Sequence, residues 1–486
     1  MKIAWAHKNV KEWIMRVIPV SALVLLTSLA AGYLVGRPHR RTIKLAVALV
    51  MVGMMWRVGM IYSLYIFIIL FPFPSGVSLN NTNVILLTII TLIWIIRAQS
   101  GHLKLIKNTE IDKFILIFIA AYVLSFINVE DAQTLRFSIQ ILWRELSAIA
   151  LFYLIIRFIN DEKKLEGITK MIAFSAGLLA LTGMFELLFP GRTLIPGWIG
   201  FHTPSGLEAQ VSGIRLGGAA QSHSVLSDYI TLTMFFMGMY FLRSKNPIQK
   251  FLWLGIAAMS FVVLLATANR GAFVALMVGI FYMLYLFRSR LSIVQFVLIG
   301  TLLVSAFAVG QIMLDKYTYA VSITQRFTGT EFHGVVPDTR VQTWMPALEK
   351  ATEHIFFGHG PYFNIIFEGM ERNLWPHNAY IYYLCTVGLF GLIPFLLILL
   401  TLLKISLQHR NPAAAGTFSQ FVMRILHVNF IMFLIEQTRT DHQRNGDFIY
   451  PYIVWMLFGL IVATANLIKE RERQLEGRRG QEAAQA

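Results

Sequence analysis

Residues 379–404 read AYIYYLCTVGLFGLIPFLLILLTLLK, with no charged side chain before Lys404. About 20 apolar residues in a helix cover the ~30 Å hydrocarbon core of a bilayer, and inside that core a helix or a closed barrel must satisfy its own backbone. Similar runs recur outward from this stretch, at roughly 83–97, 113–128, 138–158, 165–189, 223–243, 249–267, 271–288 and 292–313 before it, and at 420–437 and 447–468 after it. Ahead of them lie 17–36 and a long run, 43–71, interrupted at Trp56-Arg57-Val58-Gly59. That run is too long for one upright helix and short for two. The pattern predicts an all-α, polytopic membrane protein of about 13–14 transmembrane helices. Composition agrees: of 486 residues 56% are apolar and only 14% charged, where a soluble chain carries about a quarter.

The formal net charge is +16, and its placement orients the chain. Arg97, Lys104, Arg157, Lys163, Lys164, Arg243, Lys250, Arg288 and the basic residues after Lys469 fall in alternate loops. By the positive-inside bias those loops are cytoplasmic. Segments 190–222 and 314–378 are then external, and the second is large enough to carry short helices of its own. The reading divides the chain into a basic segment 1–16, a membrane domain 17–468, and a charged cytoplasmic tail 469–486 expected to be disordered. The first apolar stretch is too long for a cleavable signal and is followed by basic residues. The single cysteine, Cys385, excludes a disulfide framework.

Several chemistries find no support. There is no G-x-x-x-x-G-K-[ST] loop and no G-x-G-x-x-G after a strand, so nothing points to an ATP-driven or dinucleotide enzyme. Neither H-E-x-x-H nor a D-x-D pair occurs, and the twelve histidines lack metal-ligand spacing. No cofactor, no metal and no nucleic-acid partner is expected. An anionic substrate would have to be held by arginine, whose planar fork binds phosphate bidentately and stays charged. Arginines including Arg136, Arg144, Arg215, Arg270, Arg340 and Arg439 do stand on the external side, against the orientation bias. Taken singly, each is most simply a partner of lipid headgroups or of carboxylates; Glu145, Glu186, Asp228 and Glu436, in or at the ends of spans, are read as partners of Arg144, Arg424 or Arg439 and none as catalytic.

Four local patterns single out some of them. Gly213-Ile214-Arg215-Leu216-Gly217-Gly218 sets an arginine between glycines, which let backbone approach a ligand. Thr267-Ala268-Asn269-Arg270-Gly271 is a short turn between two spans, holding Arg270 at the external surface. In Asp338–Leu348, Val341, Trp344 and Leu348 recur at helical spacing, so this piece is expected to lie along the membrane surface and to place Arg340 near headgroups. Trp375-Pro376-His377-Asn378-Ala379 precedes the opening stretch, with Asn378 as N-cap. A helix N-terminus disfavours imidazolium, and a neutral imidazole is what a general base requires.

Together the patterns resemble the O-antigen ligase and O-antigen polymerase superfamily of bacterial membrane glycosyltransferases. His377-Asn378-Ala379-Tyr380 running into Val387-Gly388-Leu389-Phe390-Gly391-Leu392 looks like that family's H-N-x-[YF]-[LI] and G-L-x-G-L. Arg340-x-x-x-Trp344-x-x-Ala347 leading to Gly358-His359-Gly360 looks like its R-x-x-x-W-x-x-A to G-x-G stretch, and Asn269-Arg270-Gly271 like its S-R-G turn with Asn in place of Ser. The resemblance implies a GT-C-like, metal-independent glycosyltransferase of lipopolysaccharide or exopolysaccharide biosynthesis in the bacterial inner membrane, active at the periplasmic face. Its donor would be a glycan on undecaprenyl diphosphate, and its acceptor a glycan, lipid A-core or another molecule. His377 would be catalytic; Arg215 and Arg270 would grip the diphosphate, and Arg340 and Asn378 would complete the substrate site.

A ligase or a polymerase is therefore the leading reading. A lipid-linked-oligosaccharide flippase, which also needs cations for a diphosphate, should show paired pseudo-repeat halves with broken helices near the midplane; no such pairing is visible. A structural subunit would not need His377.

Overall fold

The computed structural model describes residues 53, 55, 57–73, 82–99, 108–189, 215–220, 222–288, 292–317, 323–328, 332–333, 336–363, 376–410, 417–439 and 449–485. Its helices are α1 Met60–Leu70, α2 Thr82–Gln99, α3 Asp112–Leu124, α4 Ala132–Phe158, α5 Glu162–Leu188, α6 His223–Arg243, α7 Pro247–Ala266, α8 Arg270–Phe287, α9 Ile293–Tyr317, α10 Ile323–Thr328, α11 Asp338–Glu353, α12 Ala379–His409, α13 Phe418–Gln437 and α14 Tyr450–Gln485. The strands among the described residues are one antiparallel pair of two residues each, Phe332–His333 with Val336–Pro337. Each of the eleven apolar stretches from residue 83 onward is helical. Among the described residues eight helices, α4 to α8 and α12 to α14, are long and apolar enough to cross a membrane, and α1 and α2 are shorter apolar helices. The chain is a polytopic, all-α membrane protein. The stretch 17–36 and the start of the run 43–71 lie outside the described residues. The interruption in that run is where it was expected: Gly59 is extended (φ −61°, ψ 142°) and stands as the N-cap of α1.

The sequence punctuates these helices with side-chain caps. Asp131 accepts from Gln133 N and Thr134 N, Asn246 precedes Pro247 at the first helical position, and Thr417 forms a reciprocal capping box with Gln420. One apolar core joins the helices. Its centre is aromatic: Phe67 meets Tyr452 edge-on at 5.6 Å, and Phe71 meets Tyr229 at 5.7 Å. Some of the polar groups drawn into it are bonded, as Ser147 to Tyr452 (2.8 Å) and Asn429 Nδ2 to the Leu232 carbonyl (2.7 Å).

Two expectations are revised, the disordered tail and the single straight span 379–404. The tail 469–485 is helix, continuing α14. It is rich in Glu, Arg, Gln and Ala, all good helix formers, and Lys469 and Arg471 reach Glu110 and Glu162 at 3.2 and 3.4 Å. α11 is helical, as the spacing of Val341, Trp344 and Leu348 predicts; it buries Thr343, Ala347 and Ala351, small residues that let it lie against Cys385 of α12, whose Sγ donates to the Ala347 carbonyl (3.2 Å). The span 379–404 is not one straight rod. Gly388 is non-helical (φ 64°, ψ −167°), and the rings of Tyr383 and Phe395 come within 4.5 Å, where twelve residues of straight helix would separate them by about 18 Å. α12 folds back on itself at Gly388.

Candidate active site

Two turns of like construction meet at one end of the bundle. Among the described residues only Ala268 and His377 have positive φ without being glycine, each at φ 49°. Each is followed by an asparagine that caps the next helix. Asn269 Oδ1 accepts from Ala272 N (3.4 Å) at the head of α8. Asn378 Oδ1 accepts from Tyr380 N (3.0 Å) and Ile381 N (3.2 Å) at the head of α12. A left-handed residue ahead of a cap reverses the chain sharply and costs on the order of 1–3 kcal/mol, so the surroundings must hold it.

Arg439 supplies that hold. Its Nη2 lies 2.6 Å from Asp228 Oδ1 on α6 and 3.5 Å from Glu436 Oε1 on α13. Its Nη1 donates to Asn269 Oδ1 at 2.9 Å, and Asn269 Nδ2 donates to Ser227 Oγ at 2.7 Å. The carbonyl of Thr438, one residue back, accepts from Asn378 Nδ2 at 3.3 Å. Gly271 is required here, because a Cβ would collide with the Arg439 side chain. The pairing of Asp228 and Glu436 with an arginine follows the sequence reading; the central place of Arg439 does not. A lone arginine after a span gives no local pattern to separate it from its neighbours.

The other expected residues border these turns. Arg215 Nη1 sits 3.0 Å from His223 Nε2, on the first residue of α6. The adjoining backbone is fastened on both sides: Leu216 N donates to the Ala266 carbonyl (3.2 Å), and Gly218, at φ 54°, gives its N–H to Glu186 Oε2 (2.7 Å). Gly213, Ile214 and Gln221 lie outside the described residues. The Arg270 guanidinium lies over the Phe327 ring of α10 at 5.9 Å. Arg340 Nη1 donates to the His377 carbonyl at 3.4 Å, so it touches the histidine-bearing turn itself. Asn378 is buried, and both polar atoms of its amide engage protein. The structure thus joins His377, Asn378 and Arg340 to one turn, Arg270 to the other, and Arg215 to the backbone beside it.

Residues 254–396 match the family model described as O-antigen ligase. This stretch is a domain of the O-antigen ligase and polymerase superfamily. No curated protein matches the chain. The O-antigen ligase domain runs from within α7 into α12 and holds Arg270, Arg340, His377 and Asn378, while Arg215 and Arg439 lie outside it.

The domain's glycine motifs have a direct structural meaning. At the break in α12 the carbonyls of Cys385 and Thr386 accept from His359 N (2.8 Å) and Gly360 N (3.0 Å). In return Leu389 N and Phe390 N donate to the carbonyls of Ile355 (2.8 Å) and Phe356 (3.0 Å). The turn after α11 is thereby stitched into the broken helix and satisfies the groups the break exposes. Gly358 and Gly388 have φ of 68° and 64°, and a Cβ on either would collide with the opposite backbone. His359 serves this turn: its Nε2 is 2.9 Å from the Lys350 carbonyl, and its ring stacks on Phe363 at 4.2 Å. Burial holds its pKa below the usual histidine value.

Proposed function

We propose that this chain transfers or polymerises glycans from undecaprenyl diphosphate at the periplasmic membrane face, as an O-antigen ligase or a surface-polysaccharide polymerase. The observation that carries the reading is the fastening of the His377 turn and the Arg270 turn to the single Thr438-Arg439 junction, largely within an O-antigen ligase domain. In the proposed step the acceptor hydroxyl oxygen attacks the anomeric carbon while the bond from that carbon to the diphosphate breaks. The hydroxyl proton passes to His377. The electron pair leaves on the diphosphate, where Arg215 and Arg270 meet the developing charge; fixed cations in a site shielded from water stabilise such charge well. Arg340 and Asn378 hold the His377 turn in place. A single displacement inverts the anomeric configuration.

The test is transfer in vitro with purified chain and a purified lipid-diphosphate glycan, scoring product length and attachment. The expected result is product that persists in EDTA, with His377→Ala inactive. No product with any hydroxyl acceptor, alongside movement of the intact lipid-linked glycan between leaflets, would instead establish a transporter.

A further inference from the structure

We propose that the turn Ile355-Phe356-Phe357 is seated among lipid acyl chains on the site's side of the bilayer, and that it sets the depth of the broken helix α12. The turn follows α11, whose last turn bears the exposed Lys350–Glu353 ion pair (2.6 Å), so the chain passes abruptly from a charged surface to three apolar side chains. Phe356 is 66% exposed, and Ile355 and Phe357 are exposed too. In water this would be an unfavourable display for a loop.

The neighbouring surface of α12 points to acyl chains as its cover. Phe357 contacts Phe390 at 5.9 Å between ring centroids, and Phe390, Ile393, Leu397 and Leu400 form an exposed apolar flank down α12, the flank of a membrane-crossing helix. The turn continues that flank without a polar interruption. Its level is also fixed. The part of α12 beyond Gly388, residues 389–409, is about 31 Å long at 1.5 Å per residue, which matches the hydrocarbon core. Gly388 therefore lies at the edge of that core, and the four backbone hydrogen bonds place the turn at the same edge. Irregular backbone is tolerated at this depth only where protein satisfies it, and here α12 does so. The lipid seat stands on geometry alone. Its consequence, that the turn sets the level of His377 relative to the donor's phosphates, rests on the proposed function.

Cys385 is the only cysteine and is buried, so a single reporter thiol is simple to install. In a Cys385→Ala background, Phe356→Cys and the exposed Glu349→Cys beside the Lys350–Glu353 ion pair are each labelled with bimane in vesicles containing lipids that carry a nitroxide high on the acyl chain. Lipid nitroxide is expected to quench position 356 at least threefold more than position 349, with aqueous iodide giving the reverse order. Equal iodide quenching at both positions, or shielding of 356 from iodide and lipid alike as a second protein copy would produce, overturns the proposal. Adding Gly388→Ala, which cuts the stitching, should lower lipid quenching at 356; unchanged quenching refutes the depth-setting role. Phe356→Asp should reduce transfer at least tenfold while Phe356→Leu retains it. Quenching needs no turnover, so loss of the transferase reading would show as absent product with the lipid signal intact.

Discussion

At the residue scale, His377 combines a chemical group with a conformation that its type disfavours. Glycine would accept φ 49° without strain, so an imidazole there is kept at a cost to stability. His377→Gly should lower turnover by about 10²–10⁴-fold, the usual loss of a general base, while raising the thermal midpoint in detergent or leaving it unchanged. A clear fall in midpoint would mean that the ring is a packing group. Arg215→Lys and Arg270→Lys keep charge but lose the planar fork, and each should cost transfer about 1–3 kcal/mol in kcat/KM; full activity in both at equal protein level would remove them from the site. His359 should behave differently. Its pKa is depressed in the fold by burial, so the unfolded chain binds more protons below the ordinary value of about 6.5. Stability from the neutral ring is present above that pH and is lost as pH falls toward the lower folded value. His359→Gln should flatten the change in midpoint between pH 7.5 and 5.5 and leave most transfer activity; a dead enzyme with an unchanged pH profile would reverse the roles given to the two histidines.

At the element scale, Arg439 ties α6, α8 and α13 together, and its neighbour Thr438 ties in α12. Arg439→Ala leaves Asp228 and Glu436 together without their shared cation. Breaking a buried pair from one side typically costs about 3–5 kcal/mol. Asp228→Asn leaves the guanidinium with Glu436 and Asn269 and should cost less. The order of the two in thermal midpoint checks the claim, and Asp228→Asn being the more damaging would refute it. This network also marks how far the sequence could be read. Helices such as α6 and α13 were legible because a predominantly apolar run of the right length admits few alternatives, and Asn378 as a cap was legible because its chemistry is local. The fold-back at Gly388 was not, since V-G-L-F-G reads equally well as a straight helix until the partner turn 355–360 is known. The central place of Arg439 was hidden for the same reason: two of the groups it joins, Asn269 and Asp228, lie 170 and 211 positions away in the chain.

At the scale of the whole molecule, the site and the basic loops occupy opposite ends. The site gathers the starts of α6, α8 and α12 and the end of α13. Arg243, at the far end of α6, lies over Phe418 at the start of α13 (4.8 Å), and Glu162, at the start of α5, accepts from Ser419 (2.9 Å) and Arg471 (3.4 Å). The cationic residues that orient the chain thus collect at the end that also carries the α14 tail. Lys and Arg are retained on the cytoplasmic side, so the tail should be cytoplasmic and the His377 turn should face the opposite compartment. A fluorescent protein that matures only in the cytoplasm, fused after Ala486, should light up, while alkaline phosphatase at the same point should stay inactive. In intact cells an impermeant maleimide should label Arg136→Cys, an exposed position on the first turns of α4 near the site end, and should miss Gln474→Cys on the tail until the membrane is opened. Labelling of Gln474→Cys in intact cells with Arg136→Cys protected would invert the molecule and bring the proposed site to the cytoplasm, where a periplasmic ligation could not be its work.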